Sequence, residues 1–533
     1  DLHLCDRRQR QMCIRDRCKV TAESSASSSI LKYTVMAEAN TDTSDREAKV
    51  TVKAGGSEVG SFTVKQTAAD GLIISNSTSF DLPAAGGDVS VVVETNGDVQ
   101  AVSDVSWIKA VNTRAMEDKI FKFTVSPNPL GAREGHISFT LGSLTETVTV
   151  KQGAGETGNM ESDARTLAAK MYAGINIGNT LEACDNKNKI AGETLWGNPK
   201  VSEAYVKGLK ALGFNAVRIP CAWDYYIVNP STYEIDAVWL DRVSEVVGYC
   251  VANDMYAIVN IHWDGGWLEE SITHGYSSEV DAKQKAIWTQ IANKLNAYDE
   301  HLLFAGCNEP GQQDQGNVGT SAIDVILKYE QTFIDAVRAT GGNNASRCLI
   351  VQGPYTNIDK TVNDYTMPKD EVPDRLMVEV HFYDPYQFTM MNHDETWSNV
   401  FLYWGKDNHV SGSIHNATDY EEDYVKRQFQ KMKEAYADKG IPVIVGEYSA
   451  MKRTKEDKIE GTSELAYPDI DQEIHNKSRA YWNEVVTREA KNHGCVPFYW
   501  ETGGDMNRGT GTAKEAYAIE GIMKGAAAGK YPY

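Results

Sequence analysis

Leu302-Leu303-Phe304-Ala305-Gly306-Cys307-Asn308-Glu309-Pro310 is an apolar run that stops on a carboxylate and a proline. Charged side chains are seldom buried unpaired, so an acid at the tip of a buried strand asks for a chemical reason. Ile441-Pro442-Val443-Ile444-Val445-Gly446-Glu447-Tyr448 has the same form. Two such runs, each reaching a Glu, predict strands that deliver a pair of carboxylates to one place.

Similar runs recur at 174–179, 215–220, 257–262, 302–309, 348–353, 376–381, 442–447 and 496–501. Segments with helical periodicity separate them, among them 202–211, 238–253, 281–298, 322–340, 421–440 and 476–493. Strand–helix alternation repeated eight times predicts an α/β fold, a (β/α)8 TIM barrel. A doubly wound sheet competes, but no GxGxxG phosphate loop follows the first strand. Function in such a barrel sits at the C-terminal ends of the strands. Asn179, Arg218, His262, Asn308, Glu309, His381, Tyr383, Glu447 and Trp500 all fall at or just beyond a predicted strand end. Converging such a set on one pocket takes strands from all round a ring.

Ahead of the barrel the grain is different. From Ser24 to about Gln152 the chain is rich in Ser, Thr, Val and Gly, with alternating runs such as Val89-Ser90-Val91-Val92-Val93. Alternation of this kind predicts half-buried antiparallel strands. An internal repeat is present: both copies end in Thr-Val-Lys-Gln (63–66 and 149–152), and both carry Arg-Glu before the middle strand (Arg46-Glu47, Arg133-Glu134). The predicted organisation is 1–18 a cloning or assembly remnant, 19–70 a truncated β-sandwich, 71–153 a complete one, 154–163 a linker and 164–533 the barrel.

Composition narrows the partners. At 533 residues the chain is too long for one ordinary domain, and 74 acidic against 53 basic residues give a formal net charge of -21. That balance argues against nucleic acid, whose phosphates need basic surfaces. A neutral ligand fits better. No apolar run is long enough to span a membrane, and a monomer is expected. The nine cysteines are scattered without CxxC spacing, which predicts free, buried thiols rather than a disulfide framework or a zinc site.

Two facing carboxylates suit glycosidic cleavage, in which one protonates the leaving oxygen and the other attacks or stabilises an oxocarbenium-like carbon. The plainer reading is two buried, ion-paired glutamates; the strand-end positions and the lack of an adjacent Lys or Arg speak against it. A metal site built on His262, Asp264, His381 and Glu309 is a further possibility, but the spacing is not that of HExxH, so neither metal nor cofactor is expected.

Gly174-Ile175-Asn176-Ile177-Gly178-Asn179-Thr180-Leu181-Glu182, Val217-Arg218-Ile219-Pro220, Asn260-Ile261-His262, Asn308-Glu309-Pro310, His381-Phe382-Tyr383 and Gly446-Glu447-Tyr448 stand in the order and spacing of glycoside hydrolase family 5. The chain resembles its cellulase branch, with Glu193-Thr194-Leu195-Trp196-Gly197-Asn198-Pro199 as a further shared stretch. The resemblance implies Glu309 as acid/base and Glu447 as nucleophile. It also implies Asn308 on the sugar 2-hydroxyl, Arg218 and Tyr383 on the nucleophile, His262 and His381 lining the cleavage subsite, and Trp500 under the sugar ring. Where many members carry a second His after the first, Trp263 stands here. Trp223, Tyr225, Trp267, Trp397 and Trp404 are candidates for outer subsites, with no sequence signal to separate them from core.

The N-terminal repeats resemble BACON domains, β-sandwich modules that precede glycoside hydrolases in Bacteroidetes. That implies either polysaccharide binding or a spacer; Trp107 is the one module aromatic that stands out beyond the strand pattern. Together the resemblances imply a secreted or cell-surface bacterial enzyme cleaving β-1,4-glucan by a retaining mechanism. β-Mannan cleavage on the same fold and a non-catalytic polysaccharide-binding protein are the alternatives.

Overall fold

The computed structural model describes residues 18–23, 32–54, 57–83, 86–105, 107–111, 120–125, 128, 132–153, 160–311 and 320–533. The chain falls into two compact units that meet in sequence at Gly153.

In the first unit, two four-stranded sheets form a sandwich over residues 72–152. Its core is the inward half of each alternating strand: Val89, Val91 and Val93, then Phe123 and Val125, Ile137 and Phe139, Val148 and Val150. The sequence repeat has a structural cause. Arg133 pairs in register with Gln152 and its Nε donates to the Gln152 amide oxygen at 2.8 Å. Arg46 pairs with Gln66 and makes the equivalent bond at 2.9 Å. Trp107 packs against the core beneath the Arg133 guanidinium, 4.2 Å from the ring centre. Residues 1–17 lie outside the described residues, and Cys18, assigned above to the remnant, opens a strand paired with Lys32–Ala37.

In the second unit the eight barrel strands are β1 Gly174–Asn176, β2 Ala216–Ile219, β3 Tyr256–Asn260, β4 Leu302–Ala305, β5 Leu349–Gln352, β6 Leu376–Phe382, β7 Val443–Tyr448 and β8 Cys495–Tyr499. Each pairs in parallel with the next and β8 pairs with β1, so the ring closes. Helices α1 Glu203–Ala211, α2 Ala237–Ala252, α3 Ser278–Leu295, α4 Thr320–Ala339, α5 Ile358–Asp364, α6 Glu422–Ala435, α7 Gln472–Asn492 and α8 Ala516–Ala528 follow the strands in turn. Several start where a side-chain oxygen takes up an otherwise unpaired N–H: Ser202, Asp236, Ser277, Asn357 and Asp471. The segment expected as one helix to 440 breaks into α6 and a separate turn, ended by Gly440 at φ 90°.

Two apolar layers explain why the runs look continuous. Val217, Val259, Phe304, Val351, Val378 and Val445 face the helices. Ala216, Ile258, Leu303, Ile350, Met377, Ile444 and Phe498 fill a separate inner cluster, together with Ala164, Leu167, Ala168 and Met171 from the short helix before β1. Farther along the same alternation the inner positions turn polar: Asn176, Arg218, Asn260, Gln352, Glu379 and His381. An inner face that is apolar at one end and polar at the other sets where chemistry can occur.

Six of the eight strands stop earlier than the apolar runs suggest, and β6 and β7 run one residue farther. Asn179, His262, Asn308, Glu309, Tyr383 and Trp500 lie just beyond strand ends, whereas His381 and Glu447 lie within β6 and β7. Register shifts between Val380 and His381 and between Val445 and Tyr448 mark a bulge that re-aims Glu447. Gly446 is required there, because a Cβ would stand 1.8 Å from Glu379 Oε1.

The six described cysteines with side chains, Cys184, Cys221, Cys250, Cys307, Cys348 and Cys495, are free and buried.

Candidate active site

Arg218 is the hub of the polar end. Its guanidinium is fully buried and reaches four partners: Glu379 Oε1 from Nε at 2.9 Å, Glu447 Oε1 and Asn176 Oδ1 from one terminal nitrogen at 3.0 and 3.1 Å, and Asn308 Oδ1 from the other at 2.7 Å. Burial would strip its proton, but the Glu379 and Glu447 charges win and hold it on. Breaking one partner from such a buried pair leaves an uncompensated charge, a loss of about 3–5 kcal/mol. The network is therefore structural as well as functional.

Glu379, also fully buried, accepts from Gln352 Nε2 at 2.7 Å. Although burial pushes its carboxyl up, the Arg218 and His381 cations outweigh that and hold it below the usual range. It is the permanent counter-charge to Arg218, which leaves Glu447 free to react.

Glu447 accepts from Arg218 through one oxygen and from the Tyr383 hydroxyl through the other, the latter at 2.9 Å. Burial raises its carboxyl above the ordinary glutamate value, opposed by the His381 and Arg218 charges and by the Tyr383 hydrogen bond. His381 Nδ1 lies 2.7 Å from Glu309 Oε1 and 3.6 Å from Glu447 Oε2. Burial alone would lower this imidazole, but the carboxylates of Glu447, Glu309 and Glu379 push it up to about 10. One oxygen of Glu309, one of Glu447 and a ring nitrogen of His381 all lie within 4.8 Å of one another. Such a triad is close enough to share a metal ion, yet the buried Arg218 guanidinium already supplies the positive charge that a cation would bring to Glu447.

Removing the Tyr383 hydroxyl isolates one of these effects. In Tyr383→Phe the stabilising donor on ionised Glu447 is gone, so the carboxyl rises further and the acid limb of the kcat/KM–pH profile moves to higher pH. A hydrogen bond to a charged group contributes about 1.5–3 kcal/mol, so kcat is expected to fall about 10- to 100-fold. An unmoved acid limb would detach Tyr383 from Glu447.

Of the residues expected from sequence, Arg218, Asn308, Glu309, His381, Tyr383 and Glu447 join this one network. His262 and Trp500 form a separate stack, 5.5 Å between ring centres and 7° from parallel. Burial and the Arg218 charge hold His262 well below its usual pKa, so it is neutral. Asn179 sits on the loop after β1 at φ 58°, its N–H donating to the Glu182 carboxylate and its carbonyl accepting from Asn198 Nδ2 at 3.0 Å. Asp264, grouped above as a possible ligand, instead caps a turn, accepting from Trp267 Nε1 at 2.7 Å and from the backbone N–H of Trp223 at 2.8 Å. Of the loop aromatics, Trp223 and Trp404 are core, Trp267 is half-buried against Lys283, and Trp397 is exposed.

Three participants escaped the sequence reading. Asn176 and Glu379 occupy inner-face positions inside apolar runs; Glu379 lies two residues before His381, on the same face, which was the available signal. Glu269, in a turn-rich segment, accepts the Glu309 backbone N–H at 2.9 Å. Burial and the Glu309 charge push its carboxyl up to about 8.

A parallel barrel that brings two carboxylates this close at its C-terminal rim is the frame of a glycoside hydrolase. The sequence matches the family profile described as cellulase (glycosyl hydrolase family 5) over residues 180–506, and a putative N-terminal binding domain, BACON, over 17–67 and 88–153. The chain belongs to glycosyl hydrolase family 5. It is 32% identical to a xyloglucan-specific endo-β-1,4-glucanase of Bacteroides ovatus over 84% of this chain and 90% of that protein. It is also 32% identical to endoglucanase A of Paenibacillus barcinonensis, over 68% and 90% of the two chains. Among solved structures, a Bacteroides ovatus family 5 xyloglucanase in complex with a XXXG heptasaccharide matches at a TM-score of 0.61 and 30% identity, covering 86% of this chain and 100% of that one. A xyloglucan-specific β-1,4-glucanase from a ruminal metagenomic library matches at 0.61 and 40% identity, over 70% and 98%.

Proposed function

We propose that this protein is an endo-acting glycoside hydrolase of β-1,4-glucan backbones, xyloglucan included, working by a retaining double displacement. The observation that carries the reading is the Glu309–Glu447 pair, one oxygen of each lying within 4.8 Å of the other. A retaining mechanism needs about 5 Å between the two acids, and an inverting one, which must fit a water between them, needs about 6.5 Å or more.

Each residue then has a task. The sugar ring rests over Trp500. Glu447, kept ionised by Arg218 and Tyr383, attacks the anomeric carbon while Glu309 gives its proton to the glycosidic oxygen. The carbon–oxygen bond breaks, the leaving chain departs with that proton, and an ester to Glu447 remains. Water, deprotonated by Glu309, then attacks the same carbon and expels the Glu447 carboxylate. Asn308 presents its oxygen to Arg218, which fixes the amide so that its nitrogen faces away from the cation; one N–H reaches Glu269 and the other is left for the sugar 2-hydroxyl. The similarity to xyloglucan-specific and broader endoglucanases supports glucan over mannan. An intact carboxylate pair, both oxygens of Glu447 and one of Glu309 hydrogen-bonded, speaks against a non-catalytic binding protein.

The site is complete within one chain, which supports action as a monomer. The BACON match and the Bacteroides relative support action outside the cell or at its surface. No described helix is long and apolar enough to cross a membrane. A substrate panel tests the reading: xyloglucan, mixed-linkage glucan and carboxymethylcellulose should lose viscosity well before reducing ends accumulate, with β-mannan untouched. Preferential cleavage of mannan, or release of single sugars from chain ends, would overturn it.

A further inference from the structure

We propose that Tyr386 and Trp397 form an aromatic platform for the leaving-group side of the glucan chain, beyond the bond that is cut; this rests on the glycosidase reading above. A cleft of about 550 Å³ opens from Glu309 and His381 and is lined by Tyr355, Tyr386, Tyr420 and Tyr424 with Asp359 and Gln428. That volume is in the range of built ligand sites, about 300–1,000 Å³. Glu447, Arg218, Asn308 and Trp500 are not part of this lining, whereas Glu309 and two neighbours of Glu447, His381 and Tyr383, are. Glu309 stands between the two regions. Since Glu309 protonates the bridging oxygen, what lies on its far side from Trp500 is the chain that leaves.

Tyr386 is at once a wall of this cleft and the neighbour of Trp397, their ring centres 6.3 Å apart and their planes 32° from parallel. Both rings are open to solvent, Tyr386 at 49% and Trp397 at 61% exposure. Trp397 is nevertheless held in place. Glu395 and Ser398 exchange backbone hydrogen bonds at 2.9 and 3.3 Å, and Gln387, the residue after Tyr386, donates from Nε2 to Ser398 Oγ at 3.3 Å. Met391 and Val400, on either side of this turn in the sequence, belong to a small core with Leu402, Tyr403, Tyr467 and Ile470. A hydrogen-bonded turn that presents a bare indole beside a second exposed ring at the wall of a substrate cleft fits a stacking surface, because aromatic rings offer broad flat apolar faces. Sugar rings offer apolar C–H faces, and two tilted rings in succession can meet neighbouring units of one chain.

The test compares Trp397→Ala with the wild type on two substrates. One is xyloglucan polymer, which fills the leaving-group side with sugar. The other is an aryl β-cellotrioside, whose leaving group is only a phenol. The ratio of kcat/KM on polymer to kcat/KM on aryl glycoside should fall about tenfold, mostly through KM, and Trp397→Phe should recover most of it. An unchanged ratio in Trp397→Ala, or an equal loss on both substrates, would overturn the platform. Wild-type enzyme inactive on both would overturn the glycosidase reading itself, a result distinct from either.

Discussion

Glu447→Gly is expected to lose roughly 10⁵- to 10⁶-fold in kcat, the scale seen when a covalent nucleophile is removed. Fold is not the cause of the loss, because the buried charge of Arg218 keeps its second carboxylate partner, Glu379, at 2.9 Å. The variant should therefore keep the wild-type circular dichroism at assay temperature while melting several degrees lower, since the buried network loses one of its carboxylates. The space left by the side chain gives a sharper readout. Azide or formate added to Glu447→Gly with an activated aryl β-glycoside should restore turnover, since a small anion can enter from the face Glu447 occupied. The azide product should be the α-glycosyl azide, the outcome of one displacement instead of two. Near-normal activity without added anion would remove Glu447 from the reaction.

Glu309→Ala has a different signature. Loss of general acid–base help costs roughly 10²- to 10⁴-fold on glucan, whose leaving oxygen needs a proton. With a dinitrophenyl leaving group the first step needs little protonation, so glycosyl-enzyme should form quickly and then accumulate, seen as a burst followed by slow turnover. Azide should accelerate the second step and give the β-glycosyl azide, the mirror of the result with Glu447→Gly. Equal loss on both leaving groups would contradict the assignment of Glu309 as the acid.

The two carboxylates were legible because each closes an apolar run, and a run of that kind has no use for a terminal Glu except chemistry. The barrel was legible for a related reason: eight runs separated by helical segments leave few other ways to close a sheet. Glu379 was not legible as a partner. It sits inside an apolar strand, and its justification is an arginine on β2, visible only once the ring is closed. The Arg218–Glu447 contact was expected only through the family resemblance, since the two residues are distant in sequence and 3.0 Å apart in space. Gly446 likewise reads as an ordinary strand glycine until Glu379 is placed against it. Loop aromatics were the least legible. Trp404 and Trp397 lie seven positions apart in one connection, the first fully buried and the second open to solvent, and nothing in local composition separates them.

Proton NMR of the first-formed sugar on a cello-oligosaccharide tests the central claim, a double displacement through Glu447, most directly. The account predicts that the new reducing end appears first as the β-anomer and mutarotates to the α-form over the following minutes. An α-anomer formed first would mean a single inverting displacement, and with it a base and a water where this account places a covalent bond to Glu447.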